Sequence, residues 1–90
     1  MRAAAGARYH TAMADEAARA RLRQAMALHS ADDIDAALTA AREAIELVPD
    51  FGEAYAYLGN TLVTRRRRFA DGLVALEGAA ELLPRDPTVL

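Results

Sequence analysis

Ninety residues with a formal net charge of -2 make one small domain at most, and the charge excludes a strong global field toward nucleic acid or acidic membrane. There is no cysteine, which excludes disulfides and thiolate metal sites and suits a reducing cytoplasm. No apolar run approaches the ~20 residues of a membrane span, and Arg8 and His10 interrupt the alanine-rich start, so no export signal is read.

All 11 basic residues are arginine and alanine is abundant, a composition that points to a GC-rich, bacterial coding bias. High alanine with few β-branched residues favours helix. Residues 1–11 read as a flexible N-terminal arm. A first helix is predicted from about Ala12 or Asp15 to His29, capped by Thr11 or Asp15, with the apolar stripe Ala18, Leu22, Ala25, Met26 and Leu28. Ser30-Ala31-Asp32-Asp33 breaks it. Asp32 and Asp33 then start a second helix, where carboxylates favour the exposed N–H groups.

That second helix runs from about Ile34 to Val48, with Ala37, Leu38, Ala41, Ala44, Ile45 and Val48 inward. Pro49 follows, and the residue before a proline is biased out of the helical region. A third helix is predicted from Gly52 or Glu53 to Thr64, burying Tyr55, Leu58, Gly59 and Leu62. Arg65-Arg66-Arg67-Arg68 forms a charged turn. A fourth helix spans about Phe69 to Leu83, with Gly72, Leu73, Leu76, Ala79 and Ala80 inward, and Pro84 closes it. Asp86-Pro87 reads as a fresh N-cap followed by proline at the first helical position, so that residues 87–90 would begin a capping helix or third repeat. No segment alternates with period two, so the fold class is all-α: four helices in two antiparallel pairs.

The second and fourth helices echo each other. Ile34 falls on Phe69, Ala37 on Gly72, Leu38 on Leu73, Ala44 on Ala79 and Pro49 on Pro84, a constant spacing of 35 residues. A period of that size marks repeat proteins, in which one supersecondary unit stacks on the next. Tyr55-Ala56-Tyr57-Leu58-Gly59, then Leu62, Phe69, Gly72, Leu76, Ala79 and Pro84, resembles one tetratricopeptide repeat, with one extra residue placed at the arginine turn. Ala25, Leu28, Ile34, Ala37, Ala41, Ala44 and Pro49 resemble a more degenerate first copy, in which Arg21 and Gln24 stand where the family has an aromatic and a leucine. Small residues such as Gly59, Ala37 and Ala44 permit the close helix approach such a unit needs. The alternative is a generic four-helix bundle.

The resemblance implies a short α-solenoid over residues 12–86 and a concave groove lined by the first helix of each pair. The implied partner-binding residues are Arg19, Leu22, Arg23, Met26, His29 and Ser30 from the first repeat. The second would supply Glu53, Ala56, Tyr57, Asn60, Val63 and Thr64. Asn60 stands where the family often holds a bound peptide backbone. Leu22 and Ala56 replace the lysines of the chaperone-binding subgroup, which speaks against a chaperone C-terminus as ligand.

No catalytic constellation, cofactor motif or phosphate loop is present in the sequence. His10 and His29 lack the spacing of a metal pair, and the carboxylates Glu43, Glu46, Glu77 and Glu81 read as solvated helix surface. Arg65, Arg66, Arg67 and Arg68 are a possible anion contact, though a solvated turn at a helix C-terminus explains them better than nucleic acid. The function expected is a non-enzymatic, cytoplasmic interaction module, an adaptor, scaffold or assembly factor binding a protein or peptide and without cofactor or metal. Because two repeats fall short of the three or so usually needed, the chain is expected either to be a fragment or to form a homo-oligomer through terminal repeat faces. The runner-up is a regulatory or substrate-docking domain of an enzyme of glycosyltransferase, sulfotransferase or oxygenase type.

Overall fold

The structure is a computed structural model that describes the backbone of residues 2–83 and the side chains of residues 12–83. The expectations for Pro84, Asp86-Pro87 and residues 87–90 lie outside the described residues. The fold is all-α, with four helices: α1 (Arg2–Ser30), α2 (Ile34–Leu47), α3 (Gly52–Arg66) and α4 (Phe69–Leu82). No strand occurs among the described residues. The chain divides into two compact units, Met1–Pro49 and Asp50–Leu90. In the first, α1 packs on α2; in the second, α3 packs on α4.

Unit one differs from expectation at its start. The helical backbone begins at Arg2 and passes through Thr11 and Asp15, so neither residue caps it. Alanine at most of the first seven positions lowers the cost of continuing the helix, and one glycine, at about 1 kcal/mol, does not outweigh them. The far end is a Schellman turn. Asp32 adopts the left-handed conformation (φ 64°). Its N–H donates to the His29 carbonyl, and that of Asp33 to the Leu28 carbonyl, both at 2.9 Å. Asp33 then serves as N-cap of α2, its Oδ1 accepting from the Ala36 N–H at 3.4 Å. That distance marks a weak cap.

Alanine makes the core of this unit. Ala18, Ala25, Ala37, Ala41 and Ala44 are fully buried, with Leu22, Ile34, Leu38 and Ala40 around them. Ile45 and Val48 are half-buried. Met26, expected inward, is 51% exposed, and Leu28 is only half-buried. Val48 is extended (φ −134°, ψ 92°), as a residue before proline must be, and ends α2.

Unit two rests on glycine. A Cβ placed on Gly59 would lie 2.8 Å from the Gly72 carbonyl oxygen, and one on Gly72 would lie 2.9 Å from that of Gly59. Backbone therefore meets backbone where α3 and α4 cross. Around this contact Ala54, Leu58, Thr61, Leu62, Ala75 and Ala79 are buried. Thr61 is the one buried polar residue among those described, and no described buried side-chain N or O lacks a hydrogen-bond partner.

Two expectations for α4 are corrected here. Leu73 and Ala80 are exposed, and Ala75 takes part in the core instead. At the Gly59–Gly72 approach Gly72, Ala75 and Ala79 face α3, and the Leu76 side chain reaches over Gly59. Leu73 and Ala80 each lie one residue, about 100°, further round. Tyr55 and Leu76 are half-buried. At the other end of α3 the helix continues to Arg66, past the expected Thr64.

Candidate interaction surface

In unit one, Arg19, Arg23, Met26 and Ser30 are exposed and follow one another at helical spacing, so they share a stripe of α1. Leu22, expected in the same set, is only 7% exposed and belongs to the core, so it is corrected from a partner contact to a packing residue. Leu22 and Arg23 lie about 100° apart on the helix, and packing takes the first inward while the second stays in solvent. His29 is half-buried in the last turn of α1. Away from this stripe, Arg21 Nε lies 3.7 Å from Glu43 Oε1 and ties α1 to α2. Both side chains are about half exposed, so the pair contributes no more than about 1 kcal/mol.

In unit two, Glu53, Tyr57, Asn60 and Thr64 share one stripe of α3. Glu53, Asn60 and Thr64 are exposed, and Tyr57 is half-buried. The Thr64 hydroxyl donates to the Asn60 carbonyl at 2.8 Å, so it is already engaged within the helix. Val63 is half-buried and leans on α4: a Cβ on Gly72 would come within 2.4 Å of its Cγ2. Ala56 is likewise half-buried. Each member of the second stripe stands 34 positions after a member of the first: Glu53 after Arg19, Tyr57 after Arg23, Asn60 after Met26 and Thr64 after Ser30.

The arginine run is split among three backbone states. Arg65 and Arg66 end α3. Arg67 is left-handed (φ 56°), and Arg68 precedes α4 with its N–H donating to the Leu62 carbonyl at 2.9 Å. The Arg68 guanidinium also meets Asp71 Oδ2 at 2.5 Å. All four side chains are exposed, and the pairing of Arg68 to a carboxylate weakens the run as an anion site. The turn absorbs the residue that lengthens the echo from 34 between the first helices to 35 between the second ones.

A further surface is missed from sequence. Phe69, Leu73, Val74, Leu82 and Leu83 are exposed apolar residues on α4 and its C-cap, whereas unit one exposes only Met13 and Met26 of this kind among its described residues. The signal lies in the echo, since helix pairs that differ in partner must differ in which faces are covered. Among the described residues, no helix is long and apolar enough to cross a membrane, and no group of three or more histidine, aspartate or glutamate side chains is gathered as a metal site. No protein-family model matches the chain, and no curated protein or solved structure gives a significant match to it.

Proposed function

We propose that the chain is a non-enzymatic interaction module of the tetratricopeptide type, acting in the cytoplasm as an adaptor or assembly factor. It binds a protein or peptide through the exposed stripes on the first helix of each unit. The observation that carries this reading is the register of those stripes: solvent-facing residues recur at the same interval as the helices that hold them. Repeat proteins work in this way, because each unit presents the same face in turn.

The side chains set the chemistry. Arg19 and Arg23 offer planar donors suited to a carboxylate, and Met26 adds an adaptable apolar contact. Asn60 carries both a donor and an acceptor, the pair needed to hold a peptide bond, and Tyr57 supplies aromatic area at small entropy cost. The ligand that fits is an extended or helical segment with an acidic residue beside apolar ones.

Affinity capture from the native cell tests this with two variants, Arg19→Ala/Arg23→Ala and Tyr57→Ala/Asn60→Ala. Each should lose a protein that the parent chain retains, with helical content unchanged. Equal capture by all three chains would remove the stripes as the binding surface.

A further inference from the structure

We draw no further inference here: the strongest candidate, the exposed apolar face of α4 around Phe69, Leu73 and Val74, carries nothing, because nothing in the structure shows what covers it.

Discussion

The residues buried between α1 and α2 are mostly alanines, and between α3 and α4 the closest are glycines. The echo places these choices at matching positions, with Ala37 where unit two has Gly72 and Ala44 where it has Ala79. With a Cβ at the crossing, unit one fills its interface with methyl groups and buries a broad face of α2. Without one, unit two brings two backbones together and buries only Gly72, Ala75 and Ala79 of α4. On α2 the buried set has twice as many residues and a wider arc: Ile34, Ala37, Leu38, Ala40, Ala41 and Ala44. The same pattern of apolar residues thus yields a covered helix in one unit and a half-covered one in the other. What differs is how much of each helix its surroundings take out of water, and that difference is where binding capacity resides.

Echo mates should therefore respond unequally to the same substitution. Leu38 is 5% exposed, so Leu38→Ala should cost about 2–4 kcal/mol through lost burial and the cavity left behind. Its mate Leu73 is 56% exposed, and Leu73→Ala should change the stability of the isolated monomer by no more than about 0.5 kcal/mol. Urea titration at concentrations low enough to keep the chain monomeric measures both. Equal losses would mean that Leu73 is covered and that the two units do not differ as described.

Glycine and alanine at the helix crossing offer a second contrast. A Cβ on Gly72 would lie 2.4 Å from Val63 Cγ2 and 2.9 Å from the Gly59 carbonyl, and the latter cannot swing aside. Gly72→Ala should cost about 1–3 kcal/mol, against a gain in helix propensity of about 1 kcal/mol that the clash overrides. The mirror change in unit one, Ala37→Gly, should cost about 1 kcal/mol, mainly through propensity and one lost methyl. Thermal melting ranks the two. A stabilising Gly72→Ala would show that α3 and α4 do not approach through backbone.

Helix ends are largely legible in the sequence, because Pro49 acts on Val48 by local sterics and Asp33 offers a carboxylate to the first turn of α2. Helix faces are legible only in part. On α4 the apolar residues span both Gly72 and Leu73, and Gly59, on another helix, decides which of them turns inward. The same limit applies to the candidate surface. Leu22 and Arg23 are neighbours in a shared apolar-to-polar boundary, and tertiary packing claims one and leaves the other. At the N-terminus, Thr11 and Asp15 read as candidate caps, yet summed alanine propensity carries α1 back to Arg2. The left-handed residue at the arginine turn has no local signal at all, since neither glycine nor asparagine marks it.

That turn supplies the smallest contrast. Each unit joins its helices through one non-glycine residue at positive φ, Asp32 at 64° and Arg67 at 56°. A left-handed residue with a Cβ costs roughly 1–2 kcal/mol, less for aspartate, whose short polar side chain can bond locally. Glycine removes that cost but adds about 0.4–1 kcal/mol of unfolded-chain entropy. Arg67→Gly should therefore stabilise the chain by about 0.5–1 kcal/mol. Asp32→Gly should give less or nothing, because aspartate starts from a lower strain. Chemical denaturation of both variants decides the matter. If Arg67→Gly is neutral or destabilising, the arginine side chain itself holds the turn, and the residue that lengthens the echo is fixed by its charge rather than by its backbone.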